Sequence, residues 1–282
     1  MARPYRSVLY IPASNSRAMD KARTLPVDAL ILDLEDAVSP GEKDHACEAL
    51  VRALGDEDFG YRARLVRING LGTRWADADI AAFADHPGVD GLLLPKVQSV
   101  ADLDLLAARV PEIPLWAMME TPMAMLNAAT IAGHPRLAGM VMGTNDLAKE
   151  IGTRFRADRM PLATGLGLCV LAARAHGRVI VDGVHNALRD EDGFAAECAQ
   201  GRDMGFDGKT LIHPDQIAAA NAAFSPTVEE VALARRQIEA HELAVRAGQG
   251  VAVLDGRIVE NLHVATARAL ITRAEAIAAG QD

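Results

Sequence analysis

The chain has 282 residues, half of them hydrophobic and only 4% aromatic, which is the composition of a globular protein with a large aliphatic core. A formal net charge of −9 excludes a nucleic-acid partner, because a phosphate backbone needs a basic surface. No apolar run reaches the roughly 18 residues of a membrane span, and the first residues lack the apolar core of a signal peptide. Cys47, Cys169 and Cys198 form no CxxC pair, which fits free thiols in a reducing compartment. A soluble cytoplasmic protein is expected.

Short β-rich apolar runs alternate with amphipathic stretches up to about residue 215. In chain order the runs are Ser7–Ile11, stopped by Pro12; Ala29–Leu34, closing in Glu35 and Asp36; and Ala63–Ile68, closing in Asn69 and Gly70. Gly91–Leu94 ends at Pro95 and Lys96, Leu115–Met119 at Glu120, and Leu137–Met142 at the stretch Gly143 to Asp146. Arg178–Val181 ends at Asp182, and Lys209–Ile212 ends at His213 and Pro214. Strands that are apolar along their whole length are buried on both faces, as in a parallel sheet. The intervening stretches, such as Ala101–Arg109 and Met123–Ala132, carry helical spacing.

Eight such units predict an α/β fold, a closed (β/α)₈ TIM barrel over residues 1–224, with its active site at the carboxyl ends of the strands. The runner-up is an open doubly wound sheet, but no glycine-rich phosphate fingerprint follows the first strand. Residues 225–282 read differently: a long helix Thr227–Gly248 with a capping box from Thr227 to Glu230, a hairpin turning at Asp255 and Gly256, and a last helix over Asn261–Ala279. This helix-hairpin-helix extension is expected to be a lid or an oligomerisation arm.

Glu120 and Asp146 end neighbouring strands, and adjacent barrel strands lie about 4.8 Å apart. Their carboxylates can meet on one divalent cation, and oxygen ligands suit Mg²⁺. Either residue alone could be a helix cap. Together with Glu35 and Asp36 they crowd one mouth with negative charge, which calls for a cation. Arg67 can bind a substrate carboxylate or pair with Glu35 or Asp36, and the two roles are compatible. Lys96 can pair with a carboxylate or help hold substrate. His213 reads as a helix-start residue. The absence of HExxH and of Cys/His clusters argues against zinc, and the absence of GxSxG argues against a serine hydrolase.

Six ordered segments resemble the citrate lyase beta-subunit-like enzymes of the HpcH/HpaI aldolase superfamily. They are Arg6–Pro12 (RSVLYIP), Leu32–Val38 (LDLEDAV), Val66–Asn69 (VRIN), Leu94–Val97 (LPKV), Met119–Pro122 (METP) and Gly143–Leu147 (GTNDL). The resemblance implies a barrel dependent on Mg²⁺, with Mn²⁺ as the alternative ion, that acts on acyl-CoA thioesters as a trimer or hexamer. It implies Glu120 and Asp146 as metal ligands, Arg67 at the substrate carboxylate, and Tyr10 and Lys21 near the CoA portion. Within the family the chain is most similar to the (3S)-malyl-CoA thioesterases, through Leu115–Leu126, Gly143–Gly152, Gly165–Gly177, Gly201–Pro214 and Gly248–Arg268.

One departure bears on the chemistry. The carbon–carbon lyases of the family carry an aspartate in the tail where this chain has Glu260. A carboxylate one methylene longer sits about 1 Å away, a misplacement that can cost about 100-fold in rate. The resemblance therefore implies hydrolysis of (3S)-malyl-CoA to (S)-malate and free CoA, with Glu260 of an adjacent subunit as general base toward water. Glu260 as a plain helix cap is the bland alternative. The competing activities are a malyl-CoA or citramalyl-CoA carbon–carbon lyase and a citrate lyase beta-type subunit.

Overall fold

The computed structural model describes residues 3–56, 58–110 and 112–280. Met1 and Ala2, part of the amino-terminal stretch read above, lie outside the described residues. Two compact units are present, Tyr5–Phe224 and a second that joins the residues before Tyr5 to those from Ser225 onward.

The first unit is a closed barrel of parallel strands: β1 (Ser7–Pro12), β2 (Ala29–Asp33), β3 (Ala63–Arg67), β4 (Gly91–Leu94), β5 (Leu115–Met119), β6 (Leu137–Met142), β7 (Val179–Asp182) and β8 (Gly208–Leu211). Closure is made by β1 against β8, in the register Ser7 to Lys209 and Leu9 to Leu211, which rules out the open sheet. Side chains alternate across each strand. One face of the strands gives an interior layer that includes Val8, Ile31, Leu65, Leu93, Trp116 and Val181. The other face, with Leu9, Leu30, Val66 and Met140, packs on the surrounding helices.

The ends of β1, β2 and β3 differ by one residue from the expected ones, β7 sits one residue later and β8 one residue earlier. The shift at β2 matters most. That strand ends at Asp33 rather than Leu34 because the Asp33 carboxylate accepts the backbone N–H groups of Glu35 and Ala37, at 2.9 and 3.2 Å, and turns the chain. The stretch Met123–Ala132 is two short helices, Pro122–Leu126 and Ala128–Ala132, divided at Asn127. The Asn127 amide donates to the carbonyl of Gln98 at 2.8 Å, a tertiary contact that ties the junction to the loop after β4.

The second unit has its own small core of Ala244, Ala252, Val259 and Val264. Its helix Val228–Arg246 starts at the expected capping box, with Thr227 and Glu230 bonded reciprocally at 2.7 and 3.1 Å. A two-stranded hairpin, β9 (Ala252–Leu254) with β10 (Arg257–Val259), turns through Asp255 and Gly256, both at positive φ as a tight hairpin requires. The helix Asn261–Ala279 follows. No helix among the described residues is long and apolar enough to cross a membrane.

Trp116 fills the barrel interior because its neighbours are small. A Cβ at Gly139 would lie 2.3 Å from the indole, and one at Gly91 would lie 2.8 Å from it. Overpacking of a filled core costs about 1–3 kcal/mol. Gly139→Ala is expected to lower stability by that amount in urea denaturation, with partial recovery when Trp116→Leu is added.

Candidate active site at the barrel mouth

Alternation along the strands decides which polar residues point inward. On β1 Tyr10 shares the parity of Val8, and on β2 Asp33 shares that of Ala29 and Ile31. Arg67 follows Leu65 on β3 in the same way, and Glu120 continues the parity of Trp116 and Met118 just beyond β5. These residues, with Asp36 and the segment Met142 to Asp146, line one cavity of about 400 Å³ at the carboxyl ends of the strands.

Arg67 is nearly fully buried and gripped by Asp33: its Nε and Nη2 donate to the two carboxylate oxygens at 2.7 and 2.6 Å. Its Nη1 lies 3.1 Å from Glu35 and 3.8 Å from Asp36. Burial by itself lowers the Arg67 pKa, but the hydrogen bonds to Asp33 and the surrounding negative charge carry it well above the usual value. Both roles read from the sequence remain compatible, and the main partner is Asp33 rather than Glu35 or Asp36. Lys96 donates its Nζ to Glu35 at 2.7 Å. Although burial opposes it, that bond and the Glu120 charge raise the Lys96 pKa to about 12. Burial raises the Glu35 pKa, against the pull of Arg67 and Lys96.

Lys43 holds this loop from behind. Its buried Nζ donates to the carbonyls of Leu34 and Glu35 and to the Asn69 side chain, at 2.8, 2.7 and 2.7 Å. Asn69 is in turn fixed by Asp79 at 2.7 Å.

Glu120 is buried, and desolvation raises its pKa to about 7, partly offset by the Lys96 charge and backbone N–H. That N–H donates to Glu120 Oε1 at 2.7 Å, and Lys96 adopts a left-handed backbone (φ 54°) to aim it. Such strain costs on the order of 1–3 kcal/mol and persists where surrounding contacts impose it. Asp146 lies in the first turn of the helix Thr144–Glu150 and faces the same cavity. Its loop is tied to the next one by reciprocal amide bonds between Asn145 and Asn186, at 2.7 and 3.2 Å. Gly183 lets Thr144 sit close, since a Cβ there would meet Thr144 Oγ1 at 2.4 Å.

Among the described residues no group of three His, Cys, Asp or Glu forms a ready metal cage. The Glu120 and Asp146 pair still suits Mg²⁺, which takes one or two carboxylates and leaves its other positions to water and substrate. A cation in the cavity also relieves the burial cost that raises the Glu120 pKa.

A family model described as HpcH/HpaI aldolase/citrate lyase matches residues 6–214. The chain belongs to the HpcH/HpaI aldolase/citrate lyase family. A (3S)-malyl-CoA thioesterase of Cereibacter sphaeroides strain KD131 is 63% identical over 278 residues, covering 99% of this chain and 97% of the relative. The citrate lyase subunit beta of Escherichia coli K12 is 34% identical, covering 97% of this chain and 94% of the relative. A crystal structure of the CitE protein from Mycobacterium tuberculosis, in complex with magnesium, acetoacetate and coenzyme A, superposes with a TM-score of 0.81 at 30% identity, covering 97% of this chain and 98% of that one.

Of the expected site residues of this HpcH/HpaI chain, Glu35 and Lys96 stand behind the cavity lining on Arg67 and Glu120, and Lys21 and Glu260 are not part of it. Lys21 is exposed in the last turn of the helix Ser16–Ala22. Glu260 is the exposed N-cap of the helix Asn261–Ala279 in the second unit, where its N–H donates to His263 Nδ1 at 3.0 Å. His213 caps the short helix Pro214–Gln216, accepting from the Asp215 N–H at 3.3 Å. Asp33, Met118 and Val184, which strand-end polarity does not single out, also line the cavity. Parity from Ala29 and Ile31 was the signal that could have found Asp33.

Gly143 provides a direct test of the site. A Cβ there would fall 2.4 Å from Glu120 Cβ and 2.6 Å from its Oε2. A displacement of about 1 Å at a reacting centre can cost about 100-fold. Gly143→Ala is expected to lower turnover by about that factor with an unchanged far-UV circular dichroism spectrum. Turnover within about twofold of wild type would remove Glu120 from the reacting centre.

Proposed function

We propose that the protein hydrolyses (3S)-malyl-CoA to (S)-malate and free CoA, with Mg²⁺ bound at the barrel mouth. The observation that carries this reading is the near-full-length 63% identity to a thioesterase of that name, set against 34% to the citrate lyase subunit. The magnesium and coenzyme A complex of the M. tuberculosis protein supports the cofactor and the substrate class.

Held by Glu120 and Asp146, Mg²⁺ would act as a Lewis acid toward substrate oxygens. The chain's own residues do the rest. Arg67, immobilised by Asp33, presents its remaining N–H groups to the acyl carboxylate. Lys96 keeps Glu35 and Glu120 in place through its Nζ and its backbone N–H. Negative charge develops on the thioester carbonyl oxygen as water attacks, and preorganised N–H groups are the usual means of meeting it. The Gly143 N–H is committed to the Met119 carbonyl at 2.9 Å, so the first-turn N–H groups of the helix Thr144–Glu150 are the ones left for that oxygen.

Lys21 is assigned to the CoA portion, Tyr10, which lines the cavity beside Arg67, to the acyl group rather than to CoA, and Glu35, Asp36 and Lys96 to support of the site. Glu260 is assigned as general base from a neighbouring copy in a trimer or hexamer, with residues 225–282 as the arm that delivers it. The three free thiols suit a reducing cytoplasm.

Purified protein given (3S)-malyl-CoA and Mg²⁺ is expected to release free CoA and malate, and EDTA to abolish the release. Acetyl-CoA and glyoxylate as products would replace hydrolysis by carbon–carbon cleavage. Glu260→Gln is expected to lower CoA release by about 100-fold or more while Mg²⁺ affinity, measured by calorimetry, stays unchanged. An unaltered rate would return Glu260 to a capping role alone.

A further inference from the structure

Arg67 cannot meet a substrate carboxylate with its best edge. A guanidinium has five N–H donors, and the Nε–Nη2 side is the fork that matches a carboxylate most closely. In this protein Asp33 occupies that fork with bonds of 2.7 and 2.6 Å, and Glu35 crowds the far nitrogen at 3.1 Å. The N–H groups that remain are on the terminal edge, which is shared with a competing carboxylate. Because Nη1 is shared with Glu35, a second donor beside this edge strengthens the hold on both oxygens of a substrate carboxylate.

Tyr10 lines the same cavity and offers a donor on the Arg67 side of it. Its ring lies under the Arg67 guanidinium, 5.1 Å from the centroid to Cζ, and both residues line the same cavity. The hydroxyl spans the barrel from β1 to β5 and points at Met118 Sδ, 3.5 Å away. A thioether is a weak acceptor, so the phenol gives up little in turning to a charged oxygen. Burial, with the nearby Asp33, Glu120 and Glu35 carboxylates, raises the Tyr10 pKa in spite of Arg67. The hydroxyl therefore keeps its proton near neutral pH. The ring position also makes the two donors move as one unit, because the stack fixes the phenol beneath the guanidinium.

We infer that Tyr10 is a specificity-determining residue, whose hydroxyl and the terminal edge of Arg67 together bind the carboxylate of the acyl group at the floor of the cavity. The inference rests on the carboxylated substrate proposed above. A site that commits a buried donor to a substrate oxygen rejects an analogue that lacks it, because the donor is then left without a charged partner. Tyr10 thus favours an acyl group ending in carboxylate over one of the same shape ending in methyl.

Tyr10→Phe keeps the ring under Arg67 and removes only the hydroxyl. For (3S)-malyl-CoA its kcat/KM is expected to fall about 10- to 100-fold, mainly through KM. For 3-hydroxybutyryl-CoA, which replaces the carboxylate by a methyl group, kcat/KM should stay within about twofold of wild type. The dissociation constant of malate for the Mg²⁺-loaded protein, read by calorimetry without turnover, should rise about tenfold. Equal losses on the two thioesters, or unchanged malate affinity, would overturn the inference. If the wild type cleaves malyl-CoA at the carbon–carbon bond, the hydrolytic reading fails, and the substrate ratio and the malate measurement still decide the role of Tyr10. A wild type that neither turns over malyl-CoA nor binds malate would overturn both.

Discussion

The pairing of Asp33 with Arg67 is the constraint on which the mouth of this barrel depends. Two charges are taken out of water at the ends of neighbouring strands and paired, Arg67 through its forked edge and Asp33 through the guanidinium and two backbone N–H groups. Removing one member of such a buried pair typically costs about 3–5 kcal/mol, because the other is left uncompensated. The pair therefore fixes the separation of β2 and β3, the turn that leaves β2, and the direction from which Glu35 and Asp36 enter the cavity. Lys43 adds a second anchor by taking the carbonyls of Leu34 and Glu35, so the acid-bearing loop is held from both sides.

The opposite wall is built on a different principle, close approach of backbone. Glycine at 143 admits the Glu120 side chain, and glycine at 183 admits Thr144. Lys96 accepts an unfavourable φ so that its N–H can meet Glu120. The two walls together bring Asp33, Glu35, Asp36, Glu120 and Asp146 toward Arg67 and Lys96, an excess of carboxylate over fixed cations. Burial is the main cause of the raised Glu120 pKa, with Glu35 adding to it against Lys96 and Arg67, and the excess of carboxylate makes a divalent ion the occupant that fits.

Much of this was legible in the residues. Strands apolar on both faces announced a parallel sheet, their number announced a barrel, and polar residues at strand ends announced the mouth. Thr227 with Glu230, and Asp255 with Gly256, carried their cap and turn in the local pattern. Glu120, Asp146 and Arg67 were identified for the same reason, since a strand-end position suffices to place them at the mouth. Asp33 was missed through an error of a single position. Reading β2 as far as Leu34 made Glu35 and Asp36 look like the first polar residues past the strand, although an alternating pattern flips with every residue.

Sequence by itself determined the fold class, the family and the end of the barrel where chemistry occurs, because these follow from periodicities and short motifs that need no knowledge of neighbours. Tertiary structure alone decided how those groups are spent. It put Asp33 on the carboxylate-binding edge of Arg67, the backbone N–H of Lys96 on Glu120, and the Tyr10 ring under the guanidinium with its hydroxyl against a thioether. Each of these contacts joins residues more than twenty positions apart in the chain, and only closure of the barrel brings them within hydrogen-bonding or stacking distance.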